Sequence, residues 1–207
     1  ILNVHSKGKP LAEDADLKAL ARQTPGFSGA DLSNLVNEAA ILAARREKKE
    51  IGYDELMESV DRVTMGPERR TRVISHHEKE IVAYHEGGHA LVGHLLEHAD
   101  PVQKISIVSR GMAAGYTKSL PTEDRMFYSR PQLIDRITMA LGGRVAEEVT
   151  FGEVTTGASN DLEQVTGMAR SMVTRYGMSE KLLPRTFGKR EEMVFLGREI
   201  TEQRDYS

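Results

Sequence analysis

Apolar residues recur every three to four positions through most of the chain, which is the spacing typical of amphipathic helices. The first 64 residues predict three such helices. A short apolar stripe over residues 16–21 ends at a Pro-Gly breaker. The second helix begins at Ser28, a residue type that caps helix N-termini, and ends at the basic residues 45–49. The third helix follows Gly52.

The pattern changes at residues 65–74, which have no apolar period and contain Gly66-Pro67, so we expect a linker there. Beyond the linker the spacing predicts a long helix, two short strands and a further helix, in order over residues 75–98, 104–108, 115–119 and 129–149. A last helix follows the glycine-bounded loop at residues 152–157 and carries apolar residues from Leu162 to Tyr176. The predicted fold class is therefore mainly α, with a helical segment over residues 1–64 and a mostly helical domain with a small β element over residues 75–207.

Composition narrows the possible functions. The 207 residues contain no Cys, which excludes a disulfide scaffold, a Cys-ligated zinc site and a thiol nucleophile, and fits a reducing compartment. A net charge of −3 gives no electrostatic case for a dedicated nucleic-acid-binding protein. No apolar run approaches the roughly 20 residues needed to cross a bilayer, so we expect these residues to be soluble. From the start at Ile1 and the end at Ser207, we expect them to be part of a longer protein.

Two zinc-binding patterns lie on the helix predicted over residues 75–98. His85-Glu86-Gly87-Gly88-His89 is a His-Glu-x-x-His motif, and residues 94–98 form the reversed His-x-x-Glu-His pattern. With about 100° between successive helical residues, His85 and His89 fall on the apolar face, whereas His94 and His98 fall on the polar face. We therefore expect the forward motif to be the metal site, and His94 and His98 to be solvated.

The forward motif has the spacing that zinc chemistry requires. Imidazoles four residues apart on a helix project from one face, so His85 and His89 can hold one Zn²⁺. Glu86 lies at the edge of that face, where its carboxylate can take a proton from a water molecule without becoming a ligand. Gly87 and Gly88 each cost a helix interior about 1 kcal/mol relative to Ala, which predicts that another backbone comes close to them.

A catalytic zinc site needs a third protein ligand, and acidic residues later in the sequence are the candidates. Asp161 follows a glycine-bounded loop and lies in the first turn of a predicted helix, where an acidic residue is also favoured by the helix dipole. Glu147 and Glu148 lie near the end of the preceding helix. Spacing alone leaves both options open.

Four segments after residue 73 form a specific combination: AYHEGGHA at 83–90, LGGRVAEE at 141–148, TTGASNDL at 155–162 and YGMS at 176–179. Together they resemble the peptidase domain of FtsH-type membrane-anchored AAA zinc proteases. The segments VH at 4–5 and GFSGADL at 26–32 resemble the helical lid of the AAA ATPase module in the same family. The resemblance implies a lid over residues 1–64, a linker over residues 65–74 and a zinc peptidase domain over residues 75–207.

The resemblance also implies roles for single residues. His85, His89 and Asp161 would be the zinc ligands, and Glu86 would be the catalytic base. In the lid, His5, Gly29 and Ala30 would lie near the adenine of ATP. The 207 residues contain no Gly-x-x-x-x-Gly-Lys-[Ser/Thr] phosphate loop, so the nucleotide site within them is incomplete.

For the whole protein, the resemblance implies an ATP-driven endopeptidase that degrades unfolded or membrane proteins and assembles as a homo-oligomer, a hexamer. It implies a location at the cytoplasmic face of the bacterial inner membrane, or the organelle equivalent, with membrane attachment through an N-terminal segment outside this sequence. The sequence departs from the family pattern at Gly87, where Ala is usual, and at Ser109, where Pro is usual. The alternative is a non-enzymatic helical oligomerisation module with structural histidines, which would contain no zinc.

Overall fold

The structure, a computed structural model, describes residues 1–68, 74–111, 113–121 and 125–187. The middle of the predicted linker and the C-terminal part of the predicted second domain therefore lie outside the described residues. The chain divides into two compact units. The first comprises Ile1–Ala83 and Gln103–Asp124, and the second comprises Tyr84–Val102 and Arg125–Ser207.

The architecture is mainly α with one two-stranded sheet, which confirms the predicted fold class. In sequence order the elements are α1 (Leu2–His5), α2 (Leu17–Arg22), α3 (Gly29–Arg45), α4 (Tyr53–Met65), α5 (His76–Leu95), β1 (Val102–Ser106), β2 (Tyr116–Ser119), α6 (Arg130–Phe151), a 3₁₀ helix (Thr156–Ala158) and α7 (Ser159–Thr174). Among the described residues, no helix is both long enough and apolar enough to cross a membrane.

Three serines start helices, as their sequence positions predict. Ser28 Oγ accepts a hydrogen bond from the amide of Asp31, and the Asp31 carboxylate accepts one from the amide of Ser28 at 2.9 Å. Ser75 and Ser129 form the same reciprocal pair of bonds with the third residue that follows each of them. These capping boxes satisfy amide groups that have no partner within the helix, so they fix where α3, α5 and α6 begin.

Four element ends differ from the prediction by two or three residues: those of α5, β1, α7 and α6, which ends at Phe151 rather than near residue 149. Helix α5 ends at Leu95 rather than at residue 98, because the amide of His98 donates to Asp135 instead of to a helix carbonyl. Strand β1 ends at Ser106 rather than at residue 108, because the Ser106 hydroxyl accepts the amide of Val108. Helix α7 ends at Thr174, and Gly177 adopts a left-handed φ of 59° beyond the end.

The core of the first unit is formed mainly by α3 and α4, with α1 and α2 packed around them. A short parallel bridge between Leu11 and Ile51 ties the N-terminal segment to the turn before α4. The fully buried apolar side chains come from several separate segments, which explains why the unit is cohesive despite its short helices. They are Leu20, Leu35, Val36, Ala39, Ile51, Leu56 and Val60.

A buried carboxylate closes one end of this core. Glu55 is 0% exposed and accepts hydrogen bonds from Arg46 at 2.7 Å, from Lys48 at 3.1 Å and from the amide of Gly52 at 3.2 Å. Burial alone would raise the pKa of Glu55, but the bonds from Lys48, Arg46 and Gly52 lower it to about 2. The charged form of Glu55 is therefore the form that the fold stabilises.

We expect Glu55→Gln to lower the free energy of unfolding by about 2 kcal/mol at neutral pH, since hydrogen bonds to a charged group are lost. A lowered folded-state pKa gives stability that is present above the ordinary value of 4.5 and is lost as pH falls toward about 2. Denaturant unfolding between pH 7 and pH 3 should show the difference from wild type shrinking. The exposed Glu50→Gln is the control, and a pH-independent difference would contradict the assignment.

Candidate metal centre

Helix α5 brings two imidazoles together on its buried side. His85 and His89 are one turn apart, and their Nε2 atoms lie 3.0 Å from each other. The two rings meet nearly edge to face, with centroids 4.7 Å apart. Both residues are buried, so neither ring is free to turn toward solvent.

Asp161 completes a set of three converging atoms. It lies in the first turn of α7, directly after the 3₁₀ helix, and its Oδ2 is 3.3 Å from His85 Nε2 and 3.5 Å from His89 Nε2. Ligands held at the Zn–N distance of about 2.0–2.1 Å in a tetrahedron stand about 3.3–3.4 Å apart. Two imidazole nitrogens and one carboxylate oxygen at these spacings therefore fit a zinc ion, with the fourth position left for another molecule.

The outward-facing nitrogens of both rings have acceptors. His85 Nδ1 lies 2.6 Å from Glu147 Oε1, and His89 Nδ1 lies 2.8 Å from the carbonyl oxygen of Met139. When Nδ1 donates to these acceptors, the Nε2 lone pairs face the convergence point. Glu147 is itself fixed, because its Oε2 accepts the amide of Thr155 at 2.7 Å.

The candidates for the third metal ligand lie at different places around the histidines. Asp161 lies on the Nε2 side of the histidines, whereas Glu147 lies on the Nδ1 side and Glu148 is exposed. His94 and His98 are exposed as well. Sequence reasoning weighed Glu147 only as a ligand and missed its contact with His85. Glu147 follows Gly143 by four residues on α6, so the two residues share one face of the helix. Gly143 faces the histidine rings, and this spacing was the signal for the contact of Glu147 with His85.

Glu86 is buried beside the converging atoms but does not belong to the set of three. The negative charge of Glu86 is one of the influences that raise the pKa of the neighbouring His85 imidazole. Glu86 therefore lies next to a candidate ligand in a buried position, outside the set of three converging atoms.

Opposing effects set the acid–base behaviour of the cluster. Burial lowers the pKa of His85 and His89, but hydrogen bonds to Asp161, with Glu147 and Met139 as further acceptors, raise both above the ordinary value. Burial raises the pKa of Asp161, and the bonds from the two imidazoles lower it well below its usual range. A metal must displace protons from these imidazoles, so metal affinity falls as the pH drops through their raised pKa values.

Glycines allow helices α5 and α6 to touch by their backbones. A Cβ at Gly88 would stand 2.4 Å from the carbonyl oxygen of Gly142, and a Cβ at Gly142 would stand 2.7 Å from that of Gly88. A Cβ at Gly143 would stand 2.6 Å from His89 Nε2. The close approach expected at the Gly pair of the motif is thus found at Gly88, whereas a Cβ at Gly87 meets nothing within 4 Å.

The two adjacent glycines should respond oppositely to Ala. Gly87→Ala is expected to raise the free energy of unfolding by up to about 1 kcal/mol, because Ala is the better helix former and space is available. Gly88→Ala is expected to lower it by about 2–3 kcal/mol, because the methyl group overlaps a backbone carbonyl. Denaturant unfolding of the pair checks this, and equal stabilities would show that the helices do not cross at Gly88.

Measured zinc affinities should distinguish Asp161, a candidate ligand, from Glu147, which orients His85. Asp161→Ala removes a ligand atom and should weaken zinc binding most. Glu147→Gln should weaken it about 10–100-fold through the orientation and basicity of His85. Glu148→Ala, at an exposed neighbouring position, is the control.

Competition with a metal chelator measures all three variants. Two results would contradict the assignment of Asp161 to the Nε2 side of His85 and of Glu147 to its Nδ1 side. One is loss of zinc in Glu148→Ala, and the other is wild-type zinc binding in Glu147→Gln.

The three residues expected near adenine lie in the first unit. His5 is the last residue of α1, and Gly29 and Ala30 begin α3. Helices α1 and α3 pack together, with His5 and Gly29 half-buried and Ala30 exposed. A Cβ at Gly29 would meet no described atom within 4 Å, so this end of α3 is open.

A helix-borne His-Glu-x-x-His motif with a converging third carboxylate defines the zinc metallopeptidase class. The chain belongs to peptidase family M41, whose profile matches residues 72–207, and an AAA+ lid domain matches residues 14–58. Both matches agree with the family resemblance drawn from the sequence.

Several bacterial relatives match the full sequence. It is 64% identical over 207 residues to the ATP-dependent zinc metalloprotease FtsH 1 of Sphaerobacter thermophilus, and 63% identical over 207 residues to that of Thermomicrobium roseum. It is 61% identical over 210 residues to the ATP-dependent zinc metalloprotease FtsH of Chloroflexus aggregans. In each case the match covers 100% of this chain and 32% of the relative, so the chain spans about a third of the length of these proteins.

Proposed function

We propose that these residues form the proteolytic centre of a zinc-dependent endopeptidase. The observation that supports the proposal most strongly is the convergence of His85, His89 and Asp161 at 3.0–3.5 Å. Both histidines and the adjacent Glu86 are buried. Three fixed ligands with one position open is the arrangement of catalytic rather than structural zinc. The names of the relatives, which state a zinc metalloprotease, support the same assignment.

In the proposed reaction, His85, His89 and Asp161 would hold the metal, and Glu147 and the Met139 carbonyl orient the two imidazoles. Bound zinc supplies a Lewis acid that polarises a peptide carbonyl and lowers the pKa of a water molecule. Glu86 takes the proton of the attacking water on its carboxylate and gives it to the departing amine nitrogen. Burial of Glu86 suits this role, since it brings the carboxylate out of bulk solvent.

For the longer protein, we propose a lid over residues 1–64, a linker over residues 65–74 and a peptidase domain over residues 75–207. His5, Gly29 and Ala30 would line an adenine pocket whose phosphate-binding part lies outside these residues. The AAA+ lid match and the names of the ATP-dependent relatives support ATP-driven proteolysis. We further propose, from the family resemblance, that a homohexamer degrades unfolded or membrane proteins. Its place would be the cytoplasmic face of a membrane, reached through an N-terminal anchor.

Glu86→Gln tests the proposed base. We expect the variant to bind about one zinc per protomer, like the wild type, while hydrolysis of unfolded casein falls by about 10²–10⁴-fold, because an amide cannot take the proton. His94→Asn, at an exposed position on the same helix, should change neither measurement.

Two outcomes would count against the proposal. Near wild-type turnover in zinc-loaded Glu86→Gln would remove Glu86 from the mechanism. A wild-type protein that binds no zinc at neutral pH would favour the alternative of a helical module with structural histidines.

A further inference from the structure

Thr155, in the second unit, is bonded to two different supports of the metal centre. Its backbone amide donates to Glu147 Oε2 at 2.7 Å, and its Oγ1 accepts the amide of Gly157 at 3.1 Å. Glu147 is the residue that orients His85, and Gly157 belongs to the 3₁₀ helix that leads to Asp161. Thr155 thus joins the support of one candidate ligand to the segment that carries another.

The first bond holds the Glu147 carboxylate in a buried position. Glu147 is 1% exposed, and its two oxygens accept from two donors, the imidazole Nδ1 of His85 at 2.6 Å and the amide of Thr155. A carboxylate offers an oxygen to each donor, whereas the amide side chain of Gln would turn an NH₂ group toward one of them. The two bonds together therefore fix which way the carboxylate faces.

The second bond closes the turn before α7. The first amides of a helix have no partner within it, and the Thr155 hydroxyl oxygen satisfies that of Gly157 in the 3₁₀ helix. A Cβ at Gly157 would stand 3.1 Å from the same oxygen, so the two residues are tightly packed. Ala158, which is 0% exposed, ends the turn in the interior. The path from Thr155 to α7 is therefore held at both of its ends.

Asp161 depends on this path for its position. It is the third residue of α7, and within the described part of the chain its carboxylate is hydrogen-bonded only to the imidazoles of His85 and His89. Each of those bonds needs a proton on an imidazole Nε2, and metal binding removes that proton. In the metal-bound protein, the backbone before Asp161 therefore sets how closely its carboxylate matches the ligand position.

We propose, on the basis of the zinc peptidase function proposed above, that Thr155 is a positioning residue of the metal centre. Its hydroxyl holds the turn that presents Asp161, and its amide holds the carboxylate that orients His85. A ligand that is already in place needs less ordering when the metal binds, so the two bonds of Thr155 contribute to zinc affinity. Hydrogen-bond partners behind metal ligands act in this way although they do not touch the ion.

Two neighbouring threonines provide matched variants. Thr155→Val keeps the shape of the side chain and removes the hydroxyl, whereas Thr155→Ser keeps the hydroxyl and removes a methyl group. Thr156→Val makes the same change at the next residue, which is exposed. Because Thr and Val are both branched at Cβ, a difference between the two Val variants measures the hydrogen bond of Thr155 rather than a change of backbone preference.

Competition with a chelator measures the zinc affinity of the three variants. We expect Thr155→Val to bind zinc about three- to tenfold more weakly than the wild type, which is the factor that one ordinary hydrogen bond is worth. Thr155→Ser and Thr156→Val should stay within about twofold of the wild type, since neither loses that bond. Cobalt(II) bound in place of zinc should show altered visible absorption bands in Thr155→Val alone, because these bands follow the geometry of the ligands.

A double variant tests the link between the two bonds, which act in series from Glu147 to Asp161. In Glu147→Gln the amide of Thr155 and the imidazole of His85 compete for one oxygen, so the turn has already lost part of its anchor. Adding Thr155→Val should then weaken zinc binding by a smaller factor than it does in the wild-type background. An equal factor in both backgrounds would show that the hydroxyl acts independently of Glu147 and would overturn the joint role of Thr155.

Wild-type zinc affinity in folded Thr155→Val would overturn the proposal and leave the zinc site itself intact, as would an equal loss in Thr156→Val or in Thr155→Ser. A hydroxyl that only stabilises the fold would lower the denaturant midpoint of the metal-free protein without changing zinc affinity or the cobalt spectrum, and that result also counts against the proposal. If Thr155→Val does not fold, Thr155→Ala takes its place with the same expectation. A wild-type protein that binds no zinc would instead remove the proposed function, and the role of Thr155 with it.

Discussion

The metal centre depends on the contact between the backbones of α5 and α6 at Gly88 and Gly142. A methyl group on either residue would overlap the carbonyl of the other helix. Because the helices are this close, the Met139 carbonyl reaches Nδ1 of His89, and Gly143 lies against both imidazole rings. The orientation of the histidines is therefore a consequence of helix packing, which requires a glycine at Gly88 but not at Gly87.

One carboxylate connects the two halves of the site. Glu147 bonds His85 through one oxygen and the amide of Thr155 through the other. Thr155 caps the 3₁₀ helix that leads into α7, since its hydroxyl accepts the amide of Gly157. The turn that delivers Asp161 is thus anchored to the residue that orients His85. A carboxylate in this position orients a candidate metal ligand without being a ligand itself, which is the usual role of the hydrogen-bond partner of a metal-binding histidine.

Much of this arrangement follows from the sequence, and the remainder depends on tertiary contacts. Apolar periodicity and capping serines predicted the long helices, since both signals are local. Helix α1 was not predicted, because four residues cannot form a stable helix without the packing that α3 provides. Spacing could not separate Asp161 from Glu147, because both lie near helix ends that face the histidines. Only the crossing of α5 and α6 determines that Glu147 meets Nδ1 and Asp161 meets Nε2.

The packing also joins segments that the family profiles separate. The lid match ends at residue 58 and the peptidase match begins at residue 72, yet α4 and the strand pair share one compact unit. Asp61, near the end of α4, is buried and bonded to Lys104 and Tyr116, which belong to the strands. Truncating Lys104 while the packing is kept would leave this buried carboxylate without its charged partner, at a cost of about 3–5 kcal/mol. The boundary between the two families in sequence is therefore not a boundary in the structure, because the buried Asp61 carboxylate of α4 is bonded to both strands.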